Sequence, residues 1–229
     1  METLDLSKSY DFFKPEEVRE RIHIIGCGSV GSAAAELLTR FGLVNLTLYD
    51  FDTVEPKNLA NQIFRQEHVG MLKTTALAVM LREINPDRRA AGGNIRIEPQ
   101  GYTGQKLSGY VFLCVDNIEL RRKIAESNKD NPYIKAMFDF RTRLTDAQHY
   151  AADWSDLKMV EDFIRSMKFS HEEAVEETPV SACNVTLSVA PTIRMISSLG
   201  VSNFINFTKG VGLKKFIQID AFNFILDAF

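Results

Sequence analysis

The chain has 229 residues, 45% of them hydrophobic and 25% charged, a composition that suits a globular protein and argues against a disordered or fibrous one. A formal net charge of −3 leaves no basic surplus, which argues against a nucleic-acid-binding protein. The three cysteines include no Cys-x-x-Cys pair, so we expect neither a disulfide framework nor a zinc ion.

The N-terminal stretch and the apolar runs bear on the cellular compartment. Residues Met1–Lys14 are polar and acidic, unlike a signal peptide. No apolar run approaches the ~20 residues that a membrane-spanning helix needs. We therefore expect a soluble protein of a reducing compartment, the cytoplasm, with no membrane partner.

The first half of the chain alternates predicted strands with predicted helices. Apolar runs predict strands at Arg21–Gly26, Leu46–Asp50, Ile95–Glu98, Tyr110–Val115 and Pro132–Phe140. Composition and helical periodicity predict helices at Ser32–Phe41, Met71–Ile84 and Ile118–Asn128. This alternation is typical of an α/β fold in which a Rossmann-like, largely parallel sheet carries helices on both faces.

The second half of the chain departs from this alternation and predicts antiparallel strands added to the sheet. Strands are predicted at Asp146–Asp153, Lys215–Asp220 and Phe222–Leu226, and helices at Asp156–Met167 and Pro191–Phe207. The acidic stretch His171–Thr178 predicts an exposed loop within a crossover segment, 146–182. Since no composition break divides the chain, we predict a single domain over 1–229 with an N-terminal extension over 1–20.

A glycine-rich loop follows the first predicted strand. Gly26, Gly28 and Gly31 form the pattern G-x-G-x-x-G, and the helix after them offers free N–H groups near Ser29. Asp50, 19 residues beyond the last glycine, ends the next predicted strand, where it can accept hydrogen bonds from ribose hydroxyls. The pattern predicts a nucleotide site but leaves the reaction open, because NAD-dependent dehydrogenases and adenylating enzymes share it.

Four further segments follow in order: Asn45–Gln62 (NLTLYDFDTVEPKNLANQ), Val69–Lys73 (VGMLK), Ile84–Pro86 (INP) and Cys114–Asn117 (CVDN), the last followed by Arg121. In these segments the chain resembles the ThiF/MoeB family of ubiquitin-like-protein activating enzymes, a compact form without the zinc cysteines. The resemblance implies adenylation of the C-terminal glycine carboxylate of a small ubiquitin-like or sulfur-carrier protein, using ATP and Mg²⁺ and releasing pyrophosphate. It also implies a homodimer.

Two charged residues of these segments suit that chemistry. An ATP triphosphate carries about four negative charges, so an attacking carboxylate is repelled unless cations screen them. Lys73 is the candidate cation, its alternative being a surface lysine. Asp116 follows a buried strand and is the candidate Mg²⁺ ligand, but it could also cap the next helix. By resemblance Asn117 also contacts the nucleotide, and Asp52 is a loop or active-site carboxylate.

Amide side chains lie between the second strand and the next helix. Asn58, Asn61 and Gln62 can hydrogen-bond to phosphate or to the substrate tail without adding charge. The family usually has an arginine at the position of Asn61. Arg65, four residues further on, is the candidate replacement.

The three cysteines have different expected roles. Cys27 and Cys114 are expected to pack in the loop and in the core. Cys183, eight residues before Pro191, matches the cysteine that accepts the activated carboxyl group in part of the family, and its alternative is a small buried residue. His149 and His171 could each act as a catalytic base or have a structural role.

Three alternatives to an activating enzyme remain. Asn61 favours a catalytically degenerate partner subunit of a heterodimeric activating enzyme. An NAD-dependent oxidoreductase explains the glycine loop and Asp50 but leaves Lys73 and Asp116 unused. A tRNA-modifying relative that adenylates a small carboxylate is disfavoured by the lack of basic surplus.

Overall fold

The computed structural model describes residues 4–86, 95–170, 173 and 187–229. Eight strands form one sheet in the order β3-β2-β1-β4-β5-β6-β7-β8. Their bounds are Ile22–Ile25 (β1), Leu46–Tyr49 (β2), Arg96–Glu98 (β3), Gly109–Leu113 (β4), Ile134–Thr142 (β5), Asp146–Asp153 (β6), Phe216–Asp220 (β7) and Ile225–Ala228 (β8). The first five strands are parallel to one another and the last three are added antiparallel, which confirms the predicted fold class.

Helices cover both faces of the sheet. They are Ser29–Arg40 (α1), Lys73–Ile84 (α2), Ile118–Ser127 (α3), Leu157–Arg165 (α4) and Ala190–Thr208 (α5). Helices α1, α2 and α5 pack together on one face, and α3 and α4 pack on the other. Among the helices that the structure describes, none combines the length and the hydropathy of a membrane-spanning segment.

The central strands are apolar throughout because each of their faces meets a separate core. On β4, Phe112 belongs to the core under α1, α2 and α5, whereas Val111 and Leu113 belong to the core under α3 and α4. Phe112 also stacks on Phe138, with ring centroids 4.9 Å apart, and meets Phe204 edge-on at 5.5 Å. A strand buried on both sides has no polar face, so its sequence shows a continuous apolar run.

Two elements begin three residues away from their predicted starts. Helix α1 begins at Ser29 rather than Ser32, because Gly28 is its N-cap and the first turn therefore lies within the glycine loop. The last strand begins at Ile225 rather than Phe222, because the preceding residues form a turn closed by Asp220. The Asp220 carboxylate accepts the backbone N–H of Phe222 at 3.1 Å.

Candidate active site

The predicted site residues meet at the carboxyl ends of the parallel strands. Strands β1 and β4 are neighbours, yet the helices that follow them, α1 and α3, lie on opposite faces of the sheet. The two loops therefore diverge and leave a crevice between them, the usual ligand position in such sheets. The loop after β2 reaches the same edge and carries Asp50 and Asp52.

The three glycines of the loop differ in what surrounds the position of a Cβ atom. Gly26 has a φ of +96°, and a Cβ there would lie 2.7 Å from the backbone carbonyl carbon of Cys114. A Cβ at Gly31 would overlap the carbonyl oxygen of Gly26. At Gly28, in contrast, a Cβ would meet nothing within 4 Å. Gly26 and Gly31 thus serve packing between the loops, whereas Gly28 leaves open space in the crevice.

That open space lies at the N-terminus of α1. Gly28 caps the helix without any side-chain hydrogen bond, so the N–H groups of the first turn, which begins at Ser29, have no side-chain acceptor among the residues that the structure describes. Free N–H groups and the positive end of the helix dipole favour an anion. The glycine cradle and these donors together fit the phosphates of a nucleotide.

Asp50 is held by backbone N–H groups of the glycine loop and of its own loop. Its Oδ2 accepts the N–H of Cys27 at 2.7 Å, and its Oδ1 accepts the N–H of Asp52 at 2.9 Å. Burial raises the pKa of this carboxyl group, although the two N–H donors and the nearby Lys73 oppose the shift. Each carboxylate oxygen retains a second acceptor site, which is suited to ribose hydroxyls.

Lys73 is buried, so the alternative of a surface lysine is wrong. It is only 7% exposed and is the first residue of α2, where the helix dipole disfavours a cation. The Asp52 carboxylate, 2.8 Å from Nζ, offsets this cost. The Lys73 N–H also donates to the Asp52 carbonyl at 2.9 Å. The ammonium group is therefore tied to the loop that follows β2.

The two polar residues of the loop after β4, Asp116 and Asn117, have different surroundings. Asn117 caps α3, since its side chain accepts the N–H of Leu120 at 2.8 Å. The alternative in which Asp116 caps this helix is therefore wrong. Asp116 is exposed, and its carboxylate has no hydrogen-bond or ion-pair partner among the residues that the structure describes.

Asp116 fits a magnesium ion that is shared with phosphate. An exposed carboxylate at this edge is a suitable hard oxygen ligand. Across the described ranges no three His, Cys, Asp or Glu side chains are grouped to hold a metal. Asp116 would supply the protein's carboxylate to Mg²⁺, and the ion would neutralise negative charge on the phosphates.

The sequence matches the ThiF family over residues 16–229. This protein belongs to the ThiF family. A ubiquitin-like modifier-activating enzyme 5 of Arabidopsis thaliana is 53% identical over 130 residues, which cover 49% of this chain and 30% of that protein. Its namesake in Dictyostelium discoideum is 38% identical over 117 residues, 45% of this chain and 31% of that one. The chain thus spans about a third of the curated relatives that it matches.

Solved structures of low sequence identity share the fold of this ThiF-family protein. Escherichia coli MccB with AMPCPP and MccA superposes with a TM-score of 0.67 at 15% identity, covering 94% of this chain and 65% of that one. PaaA gives a TM-score of 0.68 at 15% identity, covering 98% and 68% of the two chains. The family match confirms the resemblance to ThiF proteins that the ordered motifs indicated. The solved structures confirm the predicted fold.

The amide-rich segment of the ThiF domain forms turns that the sequence did not predict. Asn58 lies in a short 3₁₀ helix, where its Oδ1 accepts the N–H of Glu55 at 2.9 Å. Asn61 is the half-buried residue that ends this helix. The Oε1 of Gln62 is buried and lacks a hydrogen-bond partner within the described ranges, so it remains available to a ligand.

Arg65, the candidate replacement for the family arginine, lies beyond these turns. Its side chain is 63% exposed and its guanidinium group lies 3.6 Å from the Glu67 carboxylate. Its position next to the nucleotide stays a prediction.

Of the cysteines and histidines considered for catalysis, some lie in the core and others lie outside the residues that the structure describes. Cys27 is fully buried and Cys114 packs against the same core, and burial raises the pKa of both thiols. Cys183 and His171 lie outside the described residues. His149 is fully buried, and its Nδ1 donates to the Asp139 carbonyl at 3.0 Å, which is a structural role.

A buried ionic cluster lies beside the loop after β4. The fully buried Asp139 accepts Arg121 Nη1 at 2.8 Å on one oxygen and Arg141 Nε at 2.7 Å on the other. We call these three residues the Asp139 cluster. Sequence reasoning missed it, although an acidic residue within the apolar run of β5, Phe138-Asp139-Phe140, is a recognisable signal that such a carboxylate needs cationic partners.

Proposed function

We propose that this protein adenylates the C-terminal glycine carboxylate of a small ubiquitin-like or sulfur-carrier protein. One observation carries the proposal: a buried ammonium group, Lys73, is held by Asp52 at the edge where Gly28 leaves room for phosphate. The name of the related modifier-activating enzymes supports adenylation over an NAD-dependent oxidoreductase. The reaction of an oxidoreductase would also give this buried cation no chemical role.

In the proposed reaction an oxygen of the carrier carboxylate attacks the α-phosphorus of ATP. The new bond is a mixed carboxylic–phosphoric anhydride, and the bond to the β-phosphate bridging oxygen breaks, releasing pyrophosphate. The first turn of α1 would bind phosphate, Asp50 the ribose, and Lys73 the negative charge that builds up on the phosphoryl oxygens. Asp116 would hold Mg²⁺, which supplies charge neutralisation on the leaving pyrophosphate.

ATP–pyrophosphate exchange with a carrier ending in glycine tests this proposal. Lys73→Ala and Asp116→Ala should each slow exchange about 10²–10³-fold, the usual effect of removing one charge-stabilising group. Lys57→Ala is the control, because Lys57 is exposed and paired with Glu55. The assignment is wrong if both site variants exchange at the wild-type rate.

A second step on Cys183 is a further part of the proposal. A thiolate at this position would attack the acyl-adenylate, forming a thioester and releasing AMP. Cys183→Ser should retain pyrophosphate exchange but form no adduct that a thiol reagent cleaves. An adduct of that kind in the variant would remove Cys183 from the mechanism.

A second candidate function is that of a nucleotide-binding subunit whose partner supplies the missing arginine. Asn61 at the family arginine position favours it, as does the pairing of the exposed Arg65 with Glu67. ATP binding without exchange, followed by exchange once a second subunit is added, would favour this candidate. Sedimentation of the chain alone would separate a homodimer from a lone subunit.

A further inference from the structure

The Asp139 cluster connects helix α3 with strand β5. Arg121 comes from α3, Asp139 from the second half of β5, and Arg141 from the same strand two residues further on. Arg141 also donates to the carbonyl of Ser166 at 2.8 Å and lies 4.1 Å from the centroid of the Tyr150 ring. Arg141 is thereby fixed on its own side, and the other carboxylate oxygen is left to Arg121.

Arg121 reaches from this carboxylate to the active-site loop. Its Nη2 donates to the carbonyl oxygen of Val115, the residue immediately before Asp116. Its Nη1 donates both to Asp139 and to the carbonyl of Phe140. One planar guanidinium group therefore links the loop after β4 to the second half of β5, a geometry that a single ammonium group cannot reproduce.

The negative charge of Asp139 is needed for this link. Arg121 is only 6% exposed, so without a carboxylate its charge would be buried and uncompensated, and the side chain would be driven toward water. Burial alone would raise the pKa of Asp139, but the two guanidinium groups outweigh it and hold the pKa below its usual value. The carboxylate thus stays ionised under all ordinary assay conditions.

We propose that Asp139 is a positioning residue for the metal-bound nucleotide: by holding Arg121 against the Val115 carbonyl, it fixes the direction in which Asp116 leaves β4. The inference rests on the proposed function, because it takes Asp116 as the magnesium ligand. Asp139 itself, being fully buried, acts through Arg121 and touches no ligand.

Calorimetric titration of the whole chain with ATP, once with excess Mg²⁺ and once with EDTA, tests the proposal. Asp139→Asn should weaken binding of MgATP about 10–100-fold, as loss of an outer-shell partner of a metal ligand does, and should change binding of metal-free ATP far less. In an Asp116→Ala background, Asp139→Asn should have no further effect on MgATP binding, because both changes remove the same interaction.

Arg141→Lys is the matched control. It disturbs the other oxygen of the same carboxylate but leaves the contact from Arg121 to Val115, so it should lower the melting temperature without changing the magnesium dependence. If Asp139→Asn does not fold, Arg121→Lys replaces it. This variant keeps the charge but loses the two-pronged contact, and the same loss of MgATP binding is expected.

Equal weakening of MgATP and metal-free ATP, or effects of Asp139 and Asp116 that simply add, would overturn the positioning role and leave a structural one. Wild-type affinity for MgATP in both Asp139→Asn and Arg121→Lys would overturn it as well. If the wild-type chain binds no ATP at all, the proposed function itself fails, and this inference with it.

Discussion

Lys73 illustrates how one residue combines a structural cost with a chemical use. A cation at the first position of a helix opposes the helix dipole, and burying it adds a desolvation cost. The ion pair with Asp52, 2.8 Å long, offsets part of this cost while leaving Asp52 half exposed. In the proposed function this ammonium group would exchange its carboxylate partner for phosphate oxygens when a nucleotide enters.

The loop glycines permit a prediction that separates binding from folding. Gly28→Ala should leave the melting temperature nearly unchanged, because its Cβ meets no protein atom within 4 Å and its φ is −74°. The added methyl group projects into the crevice, so ATP binding should weaken about tenfold or more. Calorimetry of ATP binding and thermal unfolding measure the two quantities.

Gly31→Ala should give the opposite pattern. Its Cβ would collide with the carbonyl oxygen of Gly26, which belongs to the backbone and cannot rotate away. We expect a loss of about 1–3 kcal/mol in the free energy of unfolding, as other overpacked sites show. A Gly31→Ala protein as stable as the wild type would contradict the close approach of α1 to the loop.

At the scale of the elements, the C-terminal hairpin contains a turn that its sequence does not predict. Strands β7 and β8 are joined through Ala221–Phe224, and Phe224 has a φ of 57° although it carries a bulky side chain. Phe224 is 88% exposed, so little packing compensates for the strained backbone. An apolar residue at the turn extends the apolar run, which is why the strand was predicted to begin at Phe222.

Phe224→Gly should therefore stabilise the hairpin. Glycine adopts the left-handed conformation without the steric cost of about 1–2 kcal/mol that other residues incur. For a chain of this size the gain corresponds to a rise of about 2–8 °C in melting temperature. Phe224→Ala is the control, since alanine keeps the backbone strain and should give no such rise in a thermal scan followed by circular dichroism.

At the scale of the whole molecule, two buried histidines link stability to pH. Burial lowers the pKa of His23 and of His149 to about 4, with Arg21 adding to the effect at His23. In the unfolded chain both titrate near pH 6.5, so between these values the unfolded state binds more protons than the folded state. The free energy of unfolding should thus fall as the pH decreases from about 6.5 to about 4.

Urea unfolding at pH 7 and pH 5 measures this loss. His23→Gln can keep the hydrogen bond to the Tyr49 hydroxyl, which is 2.9 Å long in the wild type, but it cannot bind the proton. The variant should therefore lose less stability than the wild type between the two pH values. An unchanged difference would mean that His23 does not contribute to the acid sensitivity.

Much of this protein can be read from local patterns. The alternation of strands and helices, the glycine loop with Asp50 beyond it, and the position of Asp116 after a buried strand depend on neighbours in sequence. Parallel topology then brings the carboxyl ends of β1, β2 and β4 to one edge. For that reason the residues of the candidate site could be named before their contacts were seen.

Three features are determined only by the tertiary structure. They are the burial of Lys73, the pairing of β6 with a strand on each side, and the Asp139 cluster. Each depends on groups that are distant in sequence, such as Asp52 with Lys73 and Arg121 with Asp139. Whether a charge is buried, and which opposite charge accompanies it, is a property of packed neighbours. No periodicity along the chain records those neighbours, because they are brought together only when helices close over both faces of the sheet.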